Sequence, residues 1–337
     1  MPTSLPARAL GRSGLRVSAL GLGCMGMSWA YGTPDVVESE ATLVEAIDSG
    51  VTLIDTAEIY GPWANEEFVG RILAEQGRRD RVVLATKFGF RLDPDGGFKG
   101  LDSRPDNVRQ AVEGSLRRLR TDRIDLLYQH RVDSAVPIED TVGAMAELVA
   151  AGKVRYLGLS EASAATLRRA QAVHPISALQ SEYSLWERGV ETEVLPACRE
   201  LGVGFVPYSP LGRGFLTGRL PPIEHLGDND FRRSQPRLQA THREANRAKL
   251  ARLEELARRL QATPAQVALA WLLAQGPDIV PIFGTTRRGR LRENLAAIGL
   301  QLAGCDQFLL DQVFERGGTA GARYDERGMA LLDRTPG

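Results

Sequence analysis

The sequence predicts an α/β fold, a single (β/α)8 TIM-type barrel, and three observations carry that expectation. Eight short runs are continuously apolar rather than alternating: residues 17–23, 51–56, 81–87, 123–129, 154–160, 176–180, 203–208 and 278–284. A parallel sheet covered on both faces requires such runs, because neither side of its strands meets water. Helical stretches separate the runs, and through residue 208 the strand–helix unit returns every roughly 25–30 residues, as a βα repeat does. No Pro/Gly/Ser-rich linker divides the 337 residues. Residues 1–337 therefore read as one closed barrel domain rather than two open sheets.

Each element has its own signal in order. Residues 9–20 place the Ser13-Gly14 turn between short apolar runs, so residues 1–16 read as an N-terminal hairpin closing the barrel bottom. Residues 38–49 set Leu43, Ala46 and Ile47 at helical spacing. Residues 65–76 open with Asn65 as a candidate cap and with Glu66 and Glu67 near the positive end of the helix dipole. Further helices are expected over 104–120, 139–152, 163–173, 190–201, 263–275 and 290–298, with Pro264 as a first-turn proline after its Thr263 cap. Residues 209–243 follow the seventh strand, are rich in Gly, Pro, Arg and Asp, and show little periodicity. An insertion of that length in a compact domain reads as a functional lid, here a cofactor lid loop, or as a disordered loop. An additional helix is expected over 244–261. The tail, residues 317–337, is glycine-rich and carries an RYDERGM stretch suited to docking.

Charge and composition narrow the function classes. Lys plus Arg equals Asp plus Glu at 42 each, which argues against a nucleic-acid partner. No apolar run approaches the roughly 18 residues of a membrane span. The first residues lack an apolar core of secretory length, so the expected compartment is the cytoplasm. Cys24, Cys198 and Cys305 form no C-x-x-C pair, and the four histidines show no tight ligand spacing. No metal is expected.

Residues 21–26 match G-x-G-x-x-G, the dinucleotide fingerprint, which needs a helix opening at its last glycine. Gly32 and Pro34 stand where that helix would run, so a Rossmann fold is not expected. No tyrosine is followed four residues later by lysine, which removes the short-chain dehydrogenase pattern as well.

A sharper signal lies where three successive strands end. Asp55 closes the second run with Tyr60 just beyond, Lys87 closes the third, and His130 follows the fourth. In a (β/α)8 barrel these ends share one mouth, where catalytic groups gather. An acid and an amine ending apolar strands would be buried and must pair. A nearby ammonium favours phenolate, so Tyr60 is expected to titrate below the usual value of about 10. Such a phenol can donate a proton to a carbonyl oxygen, with His130 bonding the same oxygen. A cofactor must supply the reducing equivalent.

The segments LGLGCMGM, LIDTAEIYGPWANEEFVG, VLATKFG, DLLYQHRVD, VRYLGLSEAS, LQSEYSLW, VPYSPLGRGFLTG and GTTRRGRLREN, in this order from about residue 8 to residue 330, resemble the aldo-keto reductases. The pyridoxal-reductase and perakine-reductase-like branch is the most similar. The resemblance implies NADPH/NADP+ bound without a Rossmann fold, a small-molecule carbonyl substrate, and a tetrad of Asp55, Tyr60, Lys87 and His130. It implies cofactor contacts from Gly23, Cys24, Met25 and Asp55 at the first strands and from Ser160, Gln180 and Tyr208 further on. Ser209, Pro210, Leu211, Gly212 and Arg213 would follow the pyrophosphate; Gly284, Thr286, Arg290, Glu293 and Asn294 would hold the adenosine end. Trp29 and Trp63, with Tyr60 and His130, would meet the substrate, and Trp186 is a further candidate for an apolar wall. Two positions depart from the family: Glu161 stands where many relatives have Asn, and Thr286 where branch relatives have Lys. A cofactor-binding regulatory or redox-sensing subunit is the alternative reading on the same fold. Oligomeric state is left open by the sequence.

Overall fold

The computed structural model describes residues 5–333; the first four residues of the expected hairpin and the last four of the expected tail lie outside the described residues. Strands β1 (Ala7–Ala9) and β2 (Arg16–Ser18) form an antiparallel hairpin. The barrel strands are β3 (Gly21–Gly23), β4 (Leu53–Asp55) and β5 (Val83–Phe88), then, after a second small hairpin of β6 (Phe90–Leu92) and β7 (Phe98–Leu101), β8 (Ile124–Gln129), β9 (Val154–Ser160), β10 (Ile176–Glu182), β11 (Gly204–Tyr208) and β12 (Ile282–Gly284). Their order is β11-β10-β9-β8-β5-β4-β3-β12, all parallel. A single parallel bridge between Phe205 and Ile279 closes the ring. There the Phe205 N–H donates to the Asp278 carbonyl at 2.9 Å, and the Val280 N–H donates back to the Phe205 carbonyl at 2.9 Å.

All eight apolar runs contribute a barrel strand, but the first is divided. Val17 and Ser18 belong to the hairpin, and the chain turns before β3 begins. The Ser18 hydroxyl holds this turn: it donates to the Leu20 carbonyl at 2.7 Å and accepts the Thr52 N–H at 2.9 Å. The hairpin closes the barrel bottom as expected, although it runs to residue 18 rather than 16. Leu10, Leu15 and Val17 pack against Leu53, Ala85, Leu126, Val206, Val280 and Ile282 inside the strands. This approach requires glycine at 204, where a Cβ would stand 2.6 Å from the Leu10 Cα.

The helices follow the chemistry of their ends. Thr263 and Gln266 form a reciprocal capping box at the start of helix Pro264–Ala274. Ser163 caps Ala164–Val173 through the Thr166 N–H at 3.2 Å. Asn65 is not the expected cap: helix Ala64–Leu73 starts after Trp63, whose φ is 65°, and Asn65 lies buried inside it. After β3 the chain makes one turn, Met25–Met27, and no helix, so the glycine fingerprint has no dinucleotide context. Residues 209–243 fold as short turns at Gly212–Thr217, Ile223–His225, Phe231–Ser234 and Pro236–Leu238, and the additional helix begins early, as Ala240–Arg259. This insertion crosses the mouth: Tyr31 bridges Asp230, and the Phe231 N–H donates to the Ala30 carbonyl at 2.9 Å. No helix among the described residues is long and apolar enough to cross a membrane.

Candidate active site

The carboxyl ends of β4 and β5 bring an acid, an amine and a phenol into contact. Lys87 Nζ, wholly buried, donates to Asp55 Oδ1 at 2.5 Å, to the Thr56 carbonyl at 2.8 Å and to Tyr60 Oη at 3.3 Å. Gln180 Nε2 donates to the other Asp55 oxygen at 2.8 Å, so both carboxylate oxygens are held. Asn65 secures the loop beneath, donating to the Cys24 carbonyl at 2.9 Å and to Ser28 Oγ at 2.7 Å while accepting from Thr56 Oγ1 at 2.6 Å. His130 stands edge-on to the Tyr60 ring at 5.8 Å and to Phe90 at 4.9 Å.

Burial governs the titration of these groups. It raises Tyr60 above its ordinary value, and the opposing Lys87 charge does not overcome it. The expected net lowering is therefore overturned, because desolvating a phenolate outweighs one paired ammonium. Burial also opposes charge on Lys87, but Asp55 and then Tyr60 hold the ammonium above its usual range. His130 is driven well below the histidine range by burial, then by Arg131 and Lys87, and is a neutral imidazole.

The tetrad opens on a cavity of about 1400 Å³. That exceeds the roughly 300–1,000 Å³ of a pocket for one drug-sized ligand, leaving room for a long cofactor and a substrate together. Gly23, Met25, Asp55, Ser160, Gln180, Tyr208, Ser209, Pro210, Leu211 and Arg213 line it on one side. Gly284, Thr286, Arg290, Glu293 and Asn294 line its far end. Arg290 is half-buried, and burial followed by the like charges of Arg287 and Arg219 lowers its pKa. The nearby acids are taken, Glu293 by Arg219 at 2.9 Å and Glu38 by Arg288 at 2.9 Å. Among the described residues Arg287 and Arg290 form no ion pair, so this end of the cavity suits a multiply charged anion.

Several expected residues stand elsewhere. Cys24 is wholly buried behind the lining, where burial raises its thiol pKa beyond any thiolate role. Gly212 also lies behind it, with φ 57° and a position where a Cβ would come within 2.7 Å of Trp186. Trp186 stacks on Phe215 at 4.6 Å and lies outside the cavity lining. Trp63 precedes its helix outside the cavity lining, whereas Trp29 lines the cavity and stacks on Tyr60 at 6.1 Å. Arg213, expected to neutralise a pyrophosphate, is committed to buried Glu182 at 3.1 Å and to the Arg323 carbonyl at 3.0 Å. Glu161 is likewise committed, accepting Arg323 on both oxygens at 2.6 and 3.2 Å and the Glu182 N–H at 2.9 Å. Burial opposes its charge, but Arg323 and Arg131 together lower its pKa to about 2.

Other lining residues were not among the expected site residues. Phe90 and Phe98 of the β6–β7 hairpin pack at 5.6 Å and add an aromatic wall opposite Trp29. Arg131 enters beside His130 and donates to its carbonyl at 2.7 Å and to Ser160 Oγ at 3.3 Å. The QHR triplet at 129–131 was the available clue. Tyr324 and Leu331 arrive from the carboxyl-terminal segment.

Comparison with known proteins is consistent with this geometry. Residues 19–312 match the model of the aldo/keto reductase family. The chain is 48% identical over 321 residues to probable aldo-keto reductase 1 of Glycine max, covering 94% of this chain and 90% of the relative. It is also similar to the structure of a glycerol dehydrogenase from Gluconobacter oxydans, with a TM-score of 0.83, 30% identity, and coverage of 97% and 99% of the two chains.

Proposed function

The chain belongs to the aldo/keto reductase family, and from that premise we propose that it reduces aldehydes or ketones with NADPH, with Tyr60 as the proton donor. The observation that carries the proposal is the continuous contact from Asp55 through Lys87 to Tyr60, which opens on the large cavity. When bound, the reduced nicotinamide would supply the hydride to the carbonyl carbon. The protein's own part is the proton. A phenol held above its ordinary pKa stays protonated at neutral pH and is able to donate. The Lys87 ammonium then lies within hydrogen-bond reach of the oxygen that becomes negative. Neutral His130, edge-on to Tyr60, is suited to bond the carbonyl oxygen without competing for the proton.

The residues also fit the cofactor. Ser160 and Gln180 present a hydroxyl and an amide for a carboxamide, Tyr208 presents a ring face, and Ser209 to Leu211 run along the cavity wall. The choice of NADPH over NADH rests on the unpaired Arg287 and Arg290, because the 2′-phosphate is the only group that distinguishes the two coenzymes. The test is NADPH consumption over a panel of aldehydes and ketones, with Tyr60→Phe alongside. We expect turnover by the wild type, and a loss of about 10²–10⁴ in the variant with NADPH binding kept. Near-normal turnover by Tyr60→Phe would overturn the assignment. A wild type that binds NADPH and reduces nothing would favour a regulatory subunit.

A further inference from the structure

Beside Tyr208 the carboxyl-terminal segment builds a cluster of buried charges. Arg323 donates through Nη2 and Nη1 to Glu161 and through Nε to Glu182 Oε2 at 3.2 Å. Arg213 shares Glu182, and Arg237 pairs with Glu187 at 2.6 Å. Three carboxylates thus pair with three guanidiniums, and Arg131 adds a fourth positive charge near Glu161. The cluster's geometry points at a ring. Arg323 Nη2 also donates to Tyr208 Oη at 3.1 Å, and Tyr208 Oη shares a hydrogen bond of 2.7 Å with Tyr324 Oη.

This arrangement exceeds what anchoring a tail requires. Two carboxylates already fix the guanidinium in a fork geometry, yet one of its nitrogens is divided between Glu161 and the phenol. Glu161 is itself held at φ 55°, a left-handed conformation that Asn adopts readily and Glu does not. Its bonds to Arg323 and to the Glu182 N–H compensate that strain. Glu161 and Arg323, 162 residues apart in the chain, thus hold each other in place.

We propose that Arg323 is a positioning residue for hydride transfer: by holding the Tyr208 hydroxyl it fixes the ring face against which a nicotinamide would lie. The proposal rests on the cofactor reading above. Tyr208 ends β11, and its ring projects from a strand end into the cavity, where a free phenol would turn about its side-chain bonds. Arg323 and Tyr324 tie the far end of that ring to the neighbouring strand ends that carry Glu161 and Glu182.

A double-mutant cycle tests this, using Arg323→Met, Tyr208→Phe and the pair in the full-length protein. NADPH binding is read by quenching of tryptophan fluorescence, and hydride transfer by single-turnover loss of NADPH absorbance. Arg323→Met is expected to weaken NADPH binding and slow transfer by about tenfold each, the size expected when one charge-assisted hydrogen bond is lost. In the Tyr208→Phe background, which keeps the ring and lacks the hydroxyl, the same substitution should change either reading by less than about twofold. Equal losses in both backgrounds would overturn the proposal and leave Arg323 as a tail anchor. Arg323→Lys, which keeps the charge, should recover part of the loss. Should Arg323→Met fail to fold, Glu161→Gln loosens the same guanidinium and enters the cycle in its place: a loss confined to the Tyr208 background supports the proposal, and equal losses overturn it. A protein that binds NADPH but reduces no carbonyl would sink the reductase reading, while the binding cycle still decides this one.

Discussion

At the amino ends of its strands the barrel is filled by Leu10, Leu15 and Val17 of the hairpin, seated on buried apolar side chains of six barrel strands. At the carboxyl ends of the strands stand Asp55, Lys87, Ser160, Gln180 and Glu182, every one of them buried. The bottom is held by close packing, and glycine at 204 is what lets the hairpin in. The mouth is held by pairing, as between Lys87 and Asp55 and between Arg323 and Glu161. Stability without chemistry collects at one end, and chemistry at the other has its own folding requirements. Substitutions at the two ends should therefore fail in different ways.

The largest effect is expected from Lys87→Met. It leaves Asp55, 2% exposed, with only Gln180 beside it. Breaking a buried pair on one side costs about 3–5 kcal/mol, and reduction should fall by about two orders of magnitude or more with the loss of the group beside Tyr60. Thermal unfolding and single-turnover rates measure both; a variant that keeps its rate would break the assignment of chemistry to this end. Leu10→Ala at the bottom should cost about 2–5 kcal/mol and leave kcat unchanged where both proteins are folded. A matching drop in kcat would mean the ends are mechanically coupled.

A third test uses pH. Glu58, at the mouth beside β5, is buried, accepts the Gly89 N–H at 2.9 Å, and is raised by burial and then by Glu66 to about 8. Between the ordinary carboxyl range and pH 8 the folded protein keeps this proton and the unfolded chain does not. Stability should therefore fall as pH rises through that window, by about 1.4 kcal/mol per unit from this group. Glu58→Gln should flatten that slope in denaturant unfolding between pH 5 and 8.5. An unchanged slope would place the titration elsewhere. The smallest effect belongs to the cavity's far end. Arg290→Ala should raise the NADPH dissociation constant about ten- to a hundredfold and leave NADH nearly unaffected. Equal losses for both coenzymes would assign Arg290 to the pyrophosphate or the fold.

Much of the barrel was legible because a strand buried on both faces has few choices of side chain. Asp55, Lys87 and His130 stood out because a polar group at the end of such a strand contradicts its surroundings. The division of residues 17–23 was not legible, because Val17 and Leu22 are equally buried on either side of a turn that only Ser18 and Thr52 explain. The β6–β7 hairpin lacks alternation, and its Gly and Asp residues read as a plain loop. Trp63 and Trp186, like Trp29, lie near the ends of apolar runs, and only packing separates them from it. Arg323 was legible only as the first residue of a docking stretch, and its partners were not. Its partners, Glu161, Glu182 and Tyr208, end three different strands more than a hundred residues upstream, and no local pattern announces a pairing across that distance.

The closure of the ring has a mechanical consequence. The other neighbouring strands share ladders, as β10 and β11 do over five registered pairs, whereas β11 and the approach to β12 meet at the lone Phe205–Ile279 bridge. The barrel is a hoop with one weak weld. Residues 209–243 belong to the chain that leaves β11 and returns along β12, so the insertion hangs from the two lips of that joint. A dinucleotide reaching from Tyr208 to Arg290 would lie across the same joint, one end on each lip. The coenzyme would then also act as a splint, and the hoop is most easily sprung when it is empty.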